Sequence, residues 1–170
     1  MAHGAATPGL RPYLPADAAA LAALFRASVD ALAAEDYDDD QRAAWASAAD
    51  DEAAFASRLA DALTIVALVE GDVAGFASLR NGATFDMLYV RPDLARHGVG
   101  SALAEAIEKL AGARGTSTLS VDASDAARDF FAARGYIPKT RNTTTVAGQW
   151  LGNTTMTKEL AAPAVTGRAH

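Results

Sequence analysis

The sequence predicts an α/β fold, a mixed and predominantly antiparallel sheet with helices on both faces. Three observations lead there. Helical spacing fills the first third of the chain, three β-rich runs follow, and then helix, strand, helix and two strands. Strong turn signals punctuate the runs, namely Glu70-Gly71-Asp72, Asn81-Gly82 and Ala147-Gly148. A length of 170 residues, 51% of them hydrophobic, suffices for one sizeable core without staples.

The elements follow in order. Leu10–Tyr13 reads as a short strand, placed at an edge by Pro12. Asp17 is expected to cap a helix reaching to about Ala34, with Leu21, Leu24, Phe25 and Leu32 at helical spacing. After the acidic run Glu35–Asp40 a second helical region extends to about Leu63, anchored by Trp45, Phe55 and Leu59. Leu63–Glu70, Val73–Arg80 and Thr84–Val90 form a three-stranded meander. Pro92 stops the last of these strands. A helix face then appears at Val99, Leu103, Ala106, Ile107 and Leu110, ended by Gly112 and Gly115. Ser117–Val121 is a strand, Ser124–Arg134 a helix ended by Gly135, and Tyr136–Thr145 and Gln149–Lys158 a final pair of strands. One domain is expected over residues 9–160, with flexible tails at 1–8 and 161–170.

Composition narrows the function. The chain has no cysteine, so disulfides and thiolate metal sites are excluded and a cytoplasmic location is allowed. His3, His97 and His170 are too scattered for a metal centre, and none is expected. A net charge of −6 argues against broad nucleic-acid binding. The apolar run Leu63–Val69 is far too short to span a bilayer, and no secretory signal opens the chain.

The chemistry concentrates in Arg96-His97-Gly98-Val99-Gly100-Ser101, between a strand and a helix. A helix start exposes unpaired N–H groups at the positive end of its dipole, and glycines let an anion approach them. With Arg96 and His97 beside them, these groups fit a pyrophosphate. A plain glycine-rich helix start is the alternative. A P-loop is excluded, because Gly100 is followed directly by Ser101 with no lysine. A dinucleotide fingerprint has its acid in Asp122. However, it lacks a small residue at Leu103, and Gly98 stands eight positions after Val90.

The block Met87-Leu88-Tyr89-Val90-Arg91-Pro92, with Ala95–Leu103 after it, resembles the cofactor segment of the GNAT (GCN5-related) N-acetyltransferases. Val121-Asp122-Ala123-Ser124, Ala127 and Phe130–Tyr136 resemble that family's next segment. Within the family the chain is similar to a bacterial branch, the YafP-like acetyltransferases, with a Phe-Phe-x-x-Arg-Gly-aromatic signature. The resemblance implies a GNAT-like fold whose sheet splays at the cofactor site. It also implies transfer of an acetyl group from acetyl-CoA to a primary amine of a small molecule or protein by direct attack on the thioester. The backbone of Leu88, Tyr89 and Val90 would hold the pantetheine. The amides of Arg96, His97, Gly98, Val99, Gly100 and Ser101 would hold the pyrophosphate. Ser124 stands where many relatives carry an Asn that touches the pantetheine. Phe131 stands where the family often has the Tyr that protonates the leaving thiolate, so it keeps a cofactor contact without the proton.

Asp86, an acid inside an apolar strand, is the candidate general base; pairing with an arginine or pointing to solvent is its other reading. Strand alternation places Tyr89 on the face opposite Asp86. Tyr136 reads as core or as a proton donor. Phe25, Tyr37 and Trp45 fall in the helical part where the family builds its acceptor pocket. The acidic run either attracts a cationic acceptor or caps the next helix. A non-catalytic acyl-CoA-binding module is the alternative function. The resemblance also allows a homodimer.

Overall fold

Seven strands form one sheet in the order β1-β2-β3-β4-β5-β7-β6, and every neighbouring pair is antiparallel except β4 with β5. The computed structural model describes residues 7–161. The expected tails therefore lie outside the described residues, apart from Thr7, Pro8 and Ala161. The strands are β1 (Gly9–Pro12), β2 (Leu63–Val69), β3 (Asp72–Arg80), β4 (Thr84–Val90), β5 (Thr118–Ser124), β6 (Ile137–Val146) and β7 (Gln149–Glu159). The helices are α1 (Ala18–Leu32), α2 (Asp39–Ala46), α3 (Glu52–Asp61), α4 (Val99–Ala113) and α5 (Arg128–Ala133).

Alternation along β3 sorts its side chains into two cores. Phe76 faces the layer of α1 and α3, where it meets Leu21, Phe25, Phe55, Leu59, Val66 and Met87. Ala77 and Leu79 face the layer of α4 and α5, with Phe85, Leu103, Ile107, Leu119 and Phe131. Large apolar side chains buried this completely stabilise the fold by about 1.5–3 kcal/mol each. Both cores sit on a single sheet, and each face carries helices as expected.

Three local details differ from the sequence reading. Asp17 does not cap α1, because its carboxylate accepts from both guanidinium nitrogens of Arg11 and from the Leu14 amide. The helical region expected from about Asp40 to Leu63 is divided into two helices, α2 and α3, separated by a 3-10 turn at Ser47–Ala49. Each has its own cap: Asp38 accepts from the Gln41 amide, and Asp51 from the Ala54 amide. The acidic run thus supplies the capping box of α2, the helix-capping alternative given for it. The last helix is also shorter than expected, because Ser124 belongs to β5 and the turn after it delays α5 to Arg128.

Close packing of α4 on the sheet depends on Gly75. A Cβ built there would lie 2.8 Å from the Tyr89 carbonyl oxygen and 3.1–3.2 Å from the side chains of Leu103 and Val99. Gly75→Ala is expected to destabilise the protein by about 1–3 kcal/mol, the usual range for overpacking a tight site. Urea unfolding followed by far-UV circular dichroism measures this, and an unchanged midpoint would contradict the close approach.

Candidate active site

β4 and β5 run parallel but stay paired only at Thr84↔Ser120 and Phe85↔Val121. Beyond that point they diverge. β4 continues to pair with β3, and β5 with β7. The β5-facing backbone groups of Leu88, Tyr89 and Val90 therefore have no strand partner, an arrangement that persists only where water or a ligand supplies one.

A groove enters this opening from the side of α4. It is lined by Leu88, Val90, Arg96, Gly98, Gly100 and Ser101 among others, with Ser124 and Phe130 on the opposite wall. Its floor is the start of α4. The first intrahelical bond runs from the Ala102 amide to the Gly98 carbonyl. The amides of Val99, Gly100 and Ser101 consequently have no partner within the helix, and no side chain caps them. Arg96 and Gly98 both have positive φ, 65° and 87°. This turns successive amides into an anion-binding concavity on the helix axis.

The expected cofactor residues are thus brought together, with two qualifications. The His97 amide already donates to the Leu94 carbonyl, and the His97 side chain does not line the groove. The Val99 side chain is buried under α4, so only its amide is on offer. Ser124 Oγ accepts from the Ala127 amide, which leaves its hydroxyl hydrogen free to donate. Phe131 is buried against Phe85, Phe130 and Tyr136, and it lines a small cleft inside the splay.

A second cleft, of about 370 Å³, opens on the other side. Phe25, Tyr37, Trp45 and Tyr89 form its aromatic wall; Asp86, Asp122, Arg58 and Arg80 are its charged groups. Trp45, Tyr89 and Ser124 line both this cleft and the groove. The two openings therefore meet at these three residues. Phe25, Tyr37 and Trp45, the three aromatic residues expected at an acceptor pocket, all line this cleft. Of the acidic run 35–40, only Tyr37 reaches the cleft.

Tyr89 and Asp86 line the same cleft, which corrects the opposite-face expectation. The cause is a β-bulge: Ser78 pairs with Met87 and the next residue, Leu79, with Phe85, so Asp86 is the extra residue. One additional residue reverses the alternation between positions 86 and 89. Of the two readings of Asp86, the arginine pair is realised. Arg58 of α3 donates through Nε at 2.9 Å and Nη2 at 3.2 Å, one bond to each carboxylate oxygen, and Arg80 Nη1 lies 3.5 Å away. Burial works against the charge on Arg58, but the hydrogen bond and charge of Asp86 outweigh it and raise its pKa.

Asp122 faces the same opening from β5. One of its oxygens accepts from Thr155 Oγ1 at 2.6 Å. Sequence reading placed Asp122 in a partial dinucleotide pattern and in the second segment of the family resemblance without giving it a role, and it gave none to Arg58 or Arg80. Arg80, four residues before β4 begins, carried the one local signal, since it ends a strand whose hairpin partner holds an apolar-flanked acid.

A model of the acetyltransferase (GNAT) domain matches residues 33–160. The chain belongs to the GNAT acetyltransferase family. It is 34% identical over 144 residues to the uncharacterized N-acetyltransferase YafP of Escherichia coli, covering 85% of this chain and 91% of that protein. The GNAT crystal structure from Rhodopseudomonas palustris superposes with a TM-score of 0.90 at 58% identity, over 91% of this chain and 97% of that one. The GNAT fold is shared more distantly with two others. PaiA N-acetyltransferase of Thermoplasma acidophilum, solved with coenzyme A, gives a TM-score of 0.75 at 16% identity, over 91% and 99% of the chains. YncA of Salmonella typhimurium, solved with acetyl-CoA, gives 0.61 at 23% identity, over 94% and 99%. Among the described residues of this GNAT chain, no three His, Cys, Asp or Glu side chains gather as a metal site. No helix among the described residues is long and apolar enough to cross a membrane.

Two tyrosines near the GNAT opening differ in availability. Tyr136 donates to Glu108, which also accepts from Arg134 and pairs with Lys158. Burial first, and then Glu108, push its pKa strongly upward, so it is committed to the core of the α4 face. Tyr89 accepts from Trp45 Nε1 at 3.3 Å, and burial pushes its pKa up to about 12. A phenol raised above its unfolded value of roughly 10 contributes stability that is complete below that pH and lost as pH rises toward 12. The phenolate absorbance of wild type minus that of Tyr89→Phe should therefore show no ionisation at pH ~10, where a free tyrosine is half ionised. Half-ionisation of this one residue at pH ~10 would show that the hydroxyl is not desolvated as described.

Proposed function

We propose that this protein transfers an acetyl group from acetyl-CoA to a primary amine that enters through the aromatic cleft. The observation that carries this reading is the junction of the groove and the cleft at Trp45, Tyr89 and Ser124, where the sheet is open. Two fold neighbours were solved with coenzyme A or acetyl-CoA, which supports the choice of donor. The groove fits such a molecule on its own terms. Orphan amides at Val99, Gly100 and Ser101 match a pyrophosphate, and unpaired strand groups at Leu88–Val90 match the amides of a pantetheine arm.

When bound, acetyl-CoA supplies an activated acyl group; the chain supplies position and charge. Backbone N–H groups at the open edge of β4 stabilise negative charge that develops on a carbonyl oxygen there. An amine with a pKa near 10 enters protonated and must lose a proton before it can attack. Asp122 is the proton acceptor in this reading, directly or through water, since one of its oxygens has no hydrogen-bond partner among the described residues. Asp86 has both oxygens engaged by Arg58, and it serves to hold that arginine in the cleft. Phe131 leaves no hydroxyl at its position, and the phenol at the junction is that of Tyr89. It stays protonated at neutral pH and donates a hydrogen bond to a departing thiolate. With a thiol pKa of roughly 8.5, departure does not require complete proton transfer.

Acetyl-CoA at about 100 times its Kd should stabilise the protein by about 2.7 kcal/mol, seen as a raised unfolding midpoint, with no shift from NAD. Asp122→Asn should bind acetyl-CoA equally well yet lose at least about 10²-fold in kcat. Loss with Asp86→Asn alone, and none with Asp122→Asn, would return the proton to Asp86. A folded sample that acetyl-CoA does not stabilise would refute the donor assignment.

A further inference from the structure

The aromatic cleft has a charge pattern that selects among amines. Its four charged side chains are Arg58, Arg80, Asp86 and Asp122. Arg58 and Asp86 satisfy each other in a two-point pair. Arg80 is left over. Its Nη1 lies 3.5 Å from Asp86 Oδ1, its side chain is 54% exposed, and among the described residues it makes no hydrogen bond. Around Asp86, two guanidinium groups therefore share one carboxylate, leaving one positive charge and an open planar fork directed at the cleft. Such a fork is matched to the paired oxygens of a carboxylate, phosphonate or phosphate.

The negative pole is elsewhere. Asp122 stands on β5 at the splay, two residues before Ser124 and the junction. The carboxylates of the acidic run 35–40 do not contribute. Asp38 caps α2, Asp39 pairs with Arg42, and none of the run's carboxylates lines the cleft. A polyamine or other polycation would meet Asp122 at one end and the surplus arginine at the other. An amine carrying an anionic group meets the opposite charge at both ends. Asp86 and Asp122 follow the paired residues Phe85 and Val121 on adjacent strands, and Arg80 lies against Asp86, so both poles fall within reach of one small molecule. The same cleft is lined by Phe25, Tyr37, Trp45 and Tyr89, which suit an apolar body.

We infer that the acceptor is a small amine bearing an anionic oxygen group, with a free amino acid as the leading class, and that Arg80 binds that group. The inference rests on the acetyl-transfer reading above. Arg80 is a specificity residue here, remote from the reacting atoms, and Asp86 acts on it only by fixing Arg58 alongside.

The test uses the full chain with acetyl-CoA and follows release of the CoA thiol. The acceptors are apolar free amino acids, the amines that differ only by lacking the carboxylate, the matching aminophosphonates, and spermidine. Wild type should favour an anionic acceptor over its decarboxylated counterpart by at least about tenfold in kcat/KM, the scale of a charge-assisted hydrogen bond. Arg80→Gln should raise KM for the anionic acceptor by about 10–100-fold, hold kcat and the KM for acetyl-CoA, and collapse the preference. Comparison of amino acids with aminophosphonates identifies the anion. The unfolding midpoint of Arg80→Gln checks that the exposed substitution leaves the fold intact. Equal or better use of decarboxylated amines or spermidine would overturn the inference and leave acetyl transfer standing. So would a preference that survives Arg80→Gln. Failure of acetyl-CoA to bind, or binding without turnover of any acceptor, would bring down both readings.

Discussion

The feature on which the rest depends is a failure of pairing. Two parallel strands in contact would normally exchange hydrogen bonds along their length, but β4 and β5 do so at only two positions. Each is held straight by its other neighbour, β3 or β7, so neither can bend to close the gap. The twist of the sheet then carries them apart. The groove, the small cleft at Phe131 and the aromatic cleft all border this gap. Backbone polarity that a folded protein ordinarily satisfies within itself is here presented to whatever enters.

Charge in the site follows from a second irregularity. Without the bulge at Asp86, its carboxylate would project toward the α4 layer, into a core of Leu103, Leu119 and Phe131 that has no partner for it. The extra residue turns it toward α3, where Arg58 meets it. The cleft thereby acquires an arginine held in one position, and the second arginine is left with spare donors. A single inserted residue in one strand thus decides both where a buried acid is satisfied and which sign of charge the cleft presents.

The parts of this arrangement encoded in short stretches were legible. The hairpins announced themselves through Glu70-Gly71-Asp72 and Asn81-Gly82, which have the positive φ values that such turns demand. The anion turn showed in Gly98-Val99-Gly100, and the resemblance named its use. The break between α2 and α3 was also written locally, in Asp50-Asp51 followed by Glu52, but the hydrophobic spacing across it concealed the stop. The bulge was not legible. It is a property of the ladder between two strands, and no period within β4 reveals it. The partnership of Asp86 with Arg58 joins positions 28 apart on different layers, whereas Arg80 reaches Asp86 across the β3–β4 hairpin. Asp122 was visible as an acid at a strand end, although its chemistry depends on the neighbour that moves away from it.

Tyr37 shows how late in assembly the cleft takes shape. Its hydroxyl donates to the Gly152 carbonyl and accepts from the Asp125 amide, contacts separated by 115 and 88 positions. Together with Ala33 and Leu151 it forms a small cluster of its own, apart from the two main cores. Contacts of such separation close the largest loops in the chain and gain nothing until both ends are present. A nascent chain therefore has the meander and the anion turn available well before the outer wall of the cleft, which waits for β7. The cleft wall at Tyr37 is thus secured by β7, the last of the seven strands in the sequence.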